Sequence, residues 1–470
     1  MLMSVCACVL IIGGCKVGPN YHPPKTDVPA SWLGEVGPQT GASPDTMLVK
    51  WWTEFNDPNL MSLINRAMIS NLDLKLAEQR IRQARAQRGI VASGLYPSVD
   101  ATGSFTRSRS GPAGRATTSN LFVTGLDSVW ELDIFGGVRR GVEAADADIR
   151  VTIEDRRDVL VTLAAEVAIN YIDLRGFQQE IVIAQDNLKA QQHNADIVRK
   201  RYAGGTGFAS KLDVANADAQ VSATFSQIPV LETSAQQTIY NIAVLLGQHP
   251  ESMVNELSPA SSIPFTPPAI PTGLPSQILR RRPDIRRAEA QIHAATARIG
   301  VAVADLFPKF NLAGSFNLSG SDIGSLGWSG RSWSFGPSAD WQIFSAGRVK
   351  SSIEVQKALQ EQTVIAYKQT VLIALQDVEN ALIAYTKELV HNKALADAVA
   401  SNRIAVDLSM RLYTEGQTDF LNVLNAQRSL YVADDALVQS TRNLSTDLVA
   451  LYKALGGGWD SESDQKPQCK

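Results

Sequence analysis

Between Arg348 and Glu415 the chain runs for 68 residues without a Gly or a Pro. As one helix this stretch would span roughly 100 Å at about 1.5 Å per residue, more than a compact domain requires. Its apolar residues step four and three apart, through Val371, Leu375, Val378, Leu382, Tyr385 and Leu389. Such a narrow seam belongs to a coiled coil rather than to a helix lying on a globular core. Ala, Gln, Asn and charged residues separate the seam positions, so most of the rod's circumference tolerates water. By itself the pattern also fits an ordinary long coiled coil.

The seam is written twice. At an offset of 211 residues it returns as Leu160, Ala164, Val167, Tyr171 and Leu174, in a rod from Val138 to about Ala203 interrupted only by Gly141 and Gly176. The same offset carries Asp73-Leu74-x-x-Ala77-Glu78 onto Asp284-Ile285-x-x-Ala288-Glu289 and Leu95-Tyr96-Pro97 onto Leu306-Phe307-Pro308. It also pairs Trp130 with Trp341 and Tyr202 with Tyr413. Toward the end the offset becomes 209, where Val214-Ala215-Asn216-Ala217 matches Val423-Leu424-Asn425-Ala426. A repeat this long is no short-period solenoid. The chain is a half-structure duplicated, with small insertions.

The hydrophobic content of 44% suffices for folded protein, and a net charge of −3 with a pI near 6.0 argues against a nucleic-acid partner. No run of 18 apolar residues occurs, so no membrane-spanning helix is expected. Membrane contact must come from a barrel or an anchor. Cys6 and Cys8 lie in an apolar leader and Cys469 lies in a polar tail, so with Cys15 they make no disulfide framework.

Residues 1–14 read as a signal peptide, too short for a membrane helix. Small residues before Cys15 resemble a bacterial lipoprotein signal, which makes Cys15 the expected lipidation site. Met1-Leu2-Met3 departs from such signals by offering no Lys or Arg. At about 0.8 kcal/mol per buried methylene, several acyl chains would hold the protein on a bilayer. Lys16 follows the Cys. In bacterial lipoproteins an Asp there often signals inner-membrane retention, so its absence fits an outer-membrane destination. Residues 15–57, rich in Pro, Gly and Ser and carrying Trp32, Trp51 and Trp52, read as an extended arm. Residues 58–97 read as one helix ended by Pro97.

Over residues 98–136 the period changes to two. Val99, Ala101, Gly103 and Phe105 alternate with Asp100, Thr102, Ser104 and Thr106, and Phe122 through Leu132 alternate likewise around a polar loop, Arg107–Asn120. Residues 308–346 repeat the arrangement, with alternation continuing through Trp341 and Ile343. Each segment reads as a β-hairpin with one apolar, aromatic face and one small, polar face. Lipid outside and water inside a transmembrane barrel demand that division, which makes Trp130, Trp333, Phe335 and Trp341 lipid-facing candidates. A soluble two-hairpin sheet resting on the helices is the other arrangement that the alternation allows. Four strands cannot close a barrel, and open edges in hydrocarbon leave unpaired backbone groups. Two chains would supply eight strands and three would supply twelve; a conducting pore needs the larger number, because an eight-stranded interior fills with side chains.

Residues 137–247 and 347–456 each read as a long helical hairpin, reversed by Gly204, Gly205, Thr206 and Gly207 in the first and by Gly416, Gln417 and Thr418 in the second. No Gly-Lys-Ser/Thr follows the glycines with phosphate-loop spacing. A Pro-rich connector, 248–274, leads to the helix of 275–307. Arg280-Arg281-Arg282 before Pro283 suit either a phosphate or lipid-headgroup patch or, more simply, a solvated or ion-paired helix start. Residues 457–470 read as a disordered tail. The five histidines have no partner at metal spacing, and neither a Gly-x-Ser-x-Gly elbow nor a dinucleotide fingerprint occurs, so no catalytic constellation supports an enzyme and no cofactor is expected beyond a lipid on Cys15.

Four passages together resemble the outer-membrane factor family, TolC-like, in its lipoprotein branch. They are Cys15-Lys16-Val17-Gly18-Pro19-Asn20-Tyr21, Arg281-Arg282-Pro283-Asp284-Ile285, Tyr413-x-x-Gly416 leading into Leu421-x-Val423-Leu424-x-Ala426-Gln427, and Leu451-Tyr452-Lys453-Ala454-Leu455-Gly456-Gly457-Gly458-Trp459. The likeness runs from Cys15 to Trp459. It implies an α+β membrane protein: a homotrimer with a twelve-stranded outer-membrane barrel, continuous with a helical coiled-coil barrel in the periplasm of a Gram-negative bacterium. It further implies a passive exit duct for drugs or other small molecules, served by a periplasmic adaptor and an inner-membrane pump, commonly of the resistance-nodulation-division (RND) type. The helix turns would then meet the adaptor, and Asp419 with Glu415 would stand at the periplasmic aperture, although the acidic position is shifted from the commoner family pattern. The exit duct of a type I protein secretion system is an alternative in the same class. A non-conducting coiled-coil lipoprotein and an envelope hydrolase are alternatives in others, the hydrolase disfavoured by the missing site.

Overall fold

The computed structural model describes residues 15–27, 29–33, 48–112, 115–205, 209–265 and 281–460. The signal peptide of 1–14, Thr206, Gly207 and Arg280 lie outside them. Among them two compact units form, one from residues up to Thr26 with Gln79–Glu154 and Asp284–Thr370, the other from Asp27–Glu78, Asp155–Pro283 and Val371 onward.

The first unit carries four strands, β1 (Ser98–Ser110), β2 (Thr117–Leu132), β3 (Lys309–Gly320) and β4 (Arg331–Asp340), in one antiparallel sheet of that order. The two hairpins predicted 211 residues apart are thus joined through β2 and β3. Directly opposed residues share a face, and the register aligns the alternation across all four strands. Ala101, Leu126, Phe316 and Trp333 form one row, and Val99, Ser128, Gly314 and Phe335 the next. The Phe105 and Phe122 rings lie 4.5 Å apart, tilted at 35°, on this apolar face. The intervening rows are polar: Thr102 donates to Asp127 at 3.0 Å, and the Ser315 and Ser334 hydroxyls lie 2.8 Å apart. Asn317 crosses Gly125 so closely that a Cβ there would stand 2.0 Å from its Oδ1. Among the described residues the outer edges of β1 and β4 pair with nothing.

Two boundaries differ from expectation. The predicted loop Arg107–Asn120 is mostly ladder, with pairs running out to Ser110 and Thr117. Backbone hydrogen bonds need no apolar side chains, and Ser108 and Ser119 add a hydroxyl contact of 3.0 Å. Conversely, β4 stops at Asp340, so Trp341 lies beyond the strand. There the chain turns through Ala346 and Gly347, both at positive φ, into the next helix.

Among the described residues the long helices are α1 (Pro58–Ser70), α2 (Leu72–Ser93), α3 (Gly137–Ala203), α4 (Lys211–Leu245), α5 (Pro283–Ala304), α6 (Arg348–Thr414) and α7 (Phe420–Ala454). The single helix expected over 58–97 is two. Asn71 leaves helical geometry at ψ 138, accepts from the Leu74 N–H at 2.9 Å and donates to the Leu245 carbonyl at 2.8 Å. It acts as a cap inside what reads as a continuous pattern. The rods α3 and α6 are 67 residues each and unbroken, so Gly141 and Gly176 do not interrupt the first. Each admits a close neighbour instead, Val91 at Gly141 and Arg442 at Gly176.

In the second unit the seams are buried: Ala164, Val167, Tyr171 and Leu174 on α3, and Val371, Val378, Leu382 and Tyr385 on α6. Leu160, Leu375 and Leu389 are half-buried. Trp51 stacks on Tyr452 at 5.3 Å, fixing the arm to α7. The expected disordered tail does not begin at 457. Gly457, Gly458 and Trp459 are buried, Arg157 lies 4.5 Å over the Trp459 ring, and the Gly458 N–H donates to Leu48 at 2.8 Å.

Candidate functional site

Two places carry the chemistry that the sequence singled out. The first is the pair of helix turns. α3 ends at Ala203, and Gly205 takes φ +64 while donating to Tyr202 at 3.2 Å. α4 then starts with a capping box between Ser210 and Asp213. In the second turn Gly416 takes φ +75 and donates to Tyr413 at 3.0 Å, and the Gln417 N–H reaches the Leu412 carbonyl at 2.8 Å. These bonds satisfy helix-end carbonyls that would otherwise lack partners. Gly204, Gly205, Gly416 and Gln417 are exposed, and Thr418 is half-buried and accepts from Asn422 at 2.7 Å. Asp419 occupies the N-cap of α7, yet its carboxylate makes no cap hydrogen bond. It and Glu415 stand exposed on one short turn.

The sequence reading missed what holds this turn. Arg201, at the end of α3, donates to the carbonyls of Tyr413 at 2.8 Å and Thr414 at 2.7 Å, and its guanidinium lies 4.5 Å over the Tyr413 ring. A cation at the C-terminus of α6 meets the negative end of the helix dipole. Tyr413 is 1% exposed, within a cluster that includes Val198, Phe420 and Val423. Burial pushes its hydroxyl up, with Arg201 opposing. Tyr202, its partner in the duplication, is 48% exposed. Sequence offset paired the two tyrosines; only packing separates them.

The second place is the base of the sheet. Cys15 is exposed and its thiol is free. Arg139 donates to its carbonyl at 3.4 Å, and the Val17 N–H donates to Phe135 at 3.2 Å. Arg140, only 2% exposed, threads the following residues, donating to Val17 at 3.0 Å, Asn20 at 2.8 Å and Glu143 at 3.0 Å. Tyr21 stacks on His293 at 4.4 Å and donates to Glu289 at 2.9 Å. Burial raises the Glu143 carboxyl, but bonds from Arg140, His293 and Lys16 outweigh it and hold the group below the ordinary range. This segment is bonded to the turn from β2 to α3 through Phe135.

Among the aromatic candidates, Trp333, Phe335 and Trp341 are exposed, and Trp130 is half-buried. Trp130 donates its indole N–H to Leu95 at 3.0 Å and Trp341 donates to Leu306 at 3.1 Å. Among the described residues no helix is long and apolar enough to cross a membrane, and no group of three or more His, Cys, Asp or Glu could hold a metal.

A family profile described as "Outer membrane efflux protein" matches residues 63–248 and 274–457. The chain belongs to the outer membrane efflux protein family. The two matched segments correspond to the two halves of the duplication. Nodulation protein T of Rhizobium leguminosarum bv. trifolii is 33% identical over 455 residues, 96% of each chain. The toluene efflux pump outer membrane protein TtgC of Pseudomonas putida is 32% identical over 478 residues, 99% of this chain and 97% of its own. The solved outer-membrane channel OprN is 36% identical, with a TM-score of 0.88 over 95% of this chain and all of the other. This outer membrane efflux protein is therefore an exit duct.

Proposed function

We propose that this efflux protein works as a homotrimer, lipid-anchored through Cys15, that receives its cargo from an RND-type inner-membrane pump through a periplasmic adaptor. The observation that carries the proposal is the sheet register. It collects the aromatic residues and most of the aliphatic residues of four strands onto one face while leaving β1 and β4 unpaired at the edges among the described residues. Hydrocarbon tolerates no open edge, so β4 of one copy meets β1 of the next, and three copies make twelve strands around a channel.

The exposed turns, Gly204–Gly205 and Gly416–Thr418, are the surfaces offered to the adaptor. Glu415 and Asp419 supply charge at the aperture. Three copies bring these carboxylates together around one axis, where like charges repel, while contacts such as Arg201 with Tyr413 hold the turns in place. An adaptor that binds the spread arrangement more tightly shifts the population toward it. The channel contributes passage, and the pump contributes energy. Relatives bear names as different as cation efflux system protein and pyoverdine export outer membrane protein, which suits a duct whose partner selects the cargo.

Purified, lipidated protein in a planar bilayer tests this reading. Discrete single-channel currents support it, and a protein that inserts without conducting contradicts it.

A further inference from the structure

One face of α3 presents Asp173, Gly176, Phe177 and Glu180 to Arg442 of α7. The missing side chain at Gly176 admits the arginine, since a Cβ there would stand 2.7 Å from Arg442 Cδ. The guanidinium lies 5.3 Å from the Phe177 ring centre, with Nε 3.6 Å from Asp173 and Nη1 3.7 Å from Glu180. Both distances exceed a hydrogen bond. The Glu180 side chain is 4% exposed, and its Oε1 has no hydrogen-bond partner. Asp435, also on α7, adds a third carboxylate acting on the same glutamate and accepts from Gln439 at 2.8 Å. Tyr431 faces the group as well, with its hydroxyl donated to Gln227 of α4. On the side of α7 toward α6, Glu388 faces Asp447, accepts from Ser440 and lies 3.2 Å from His391. One cation thus serves three carboxylates on the α3–α7 seam. The duplication does not require this cluster: Ala384, Lys387 and His391 occupy the positions of Asp173, Gly176 and Glu180 in the second half, and Thr233 occupies that of Arg442 in the first.

We propose that the cluster is a pH-sensitive lock on the α3–α7 seam, tight when Glu180 carries a proton and loosened when it ionises. Protonation removes a buried charge whose Oε1 accepts no hydrogen bond, whereas ionisation sets three negative charges around one guanidinium. Burial, with Asp435 and Asp173 adding to it and Arg442 opposing, pushes the Glu180 carboxyl from 4.5 up to about 7. Burial raises Asp173 and Asp435 too. A carboxyl that holds its proton more tightly in the docked seam than in water stabilises docking fully below pH 4.5, and that stabilisation is lost as pH rises through about 7. The lock therefore closes on acidification and slackens above neutrality.

Hydrogen–deuterium exchange of the intact purified protein, read on peptides spanning 173–183 and 435–445, tests it. At about pD 8, Glu180→Gln should exchange roughly tenfold or more slowly than wild type in these peptides, and near pD 5 the two should coincide. Asp435→Asn, which removes one like charge and leaves Glu180 in place, should show a smaller gap with the same pH dependence, and it carries the test alone if Glu180→Gln does not assemble. Equal exchange at high pD, or a gap that persists undiminished in acid, overturns the proposal.

Discussion

Trp341 donates its indole N–H to the carbonyl of Leu306 at 3.1 Å, spanning the hairpin that separates them. Trp130 makes the same bond to Leu95 at 3.0 Å, in the other half of the duplication. Both bonds join the end of a hairpin to the end of the helix before it. An indole presents a broad apolar body and one donor, which suits a residue at the boundary between lipid and water.

Replacing either tryptophan by Leu keeps the position apolar, on a smaller side chain, and deletes that bond. A typical hydrogen bond contributes about 1 kcal/mol net, so each single variant should still assemble. The double variant, Trp130→Leu with Trp341→Leu, should lose about 2 kcal/mol per chain and show a lower dissociation temperature on semi-native gels. An unchanged temperature would assign the bonds no structural role.

Gly125 sits under Asn317 on the polar face of the sheet, with room for no side chain. Gly125→Val should prevent the β2–β3 ladder from closing and abolish insertion into the outer membrane. Gly336, also on the polar face, has open space around it, and Gly336→Ala should insert normally. Membrane fractionation with immunoblotting compares the two.

Arg201 bridges the end of α3 to the last carbonyls of α6. Hydrogen bonds from charged groups contribute about 1.5–3 kcal/mol each, less where solvent reaches them. Arg201→Gln should raise the open probability of single channels by about tenfold, the equivalent of about 1.4 kcal/mol. Asp419→Ala should instead leave open probability near that of wild type and weaken block by multivalent cations. The reverse assignment of effects would remove both residues from the aperture.

Cys15→Ala should yield a protein lacking the mass of the acyl groups in intact-mass spectrometry. The hydrogen bonds of Arg139 and Arg140 to the segment use backbone carbonyls and Asn20, so that variant should still fold and conduct. Acylated mass in the variant would place the lipid elsewhere.

Much of this architecture was legible because long helices and two-faced strands each impose a period on the sequence. The seams through Tyr171 and Tyr385, and the two hairpins 211 residues apart, are recorded at that level. What escaped was decided by single contacts. Asn71 breaks a helix whose apolar pattern continues across it, because its side chain caps one helix and bonds the end of another. Ser108 and Ser119 extend a ladder where alternation has already turned polar. Arg201 looks like any charged residue of a solvated face until the turn of the other half is brought beneath it. Trp459 closes a glycine run that suggests a frayed end, yet its ring finds Arg157.

The claim on which the duct depends is that copies of this chain complete one another's sheet. Native mass spectrometry of the detergent-purified protein measures that directly. A particle of three chains is the predicted result, and a particle of one chain, stable and uniform with its β1 and β4 edges unshared, would contradict it.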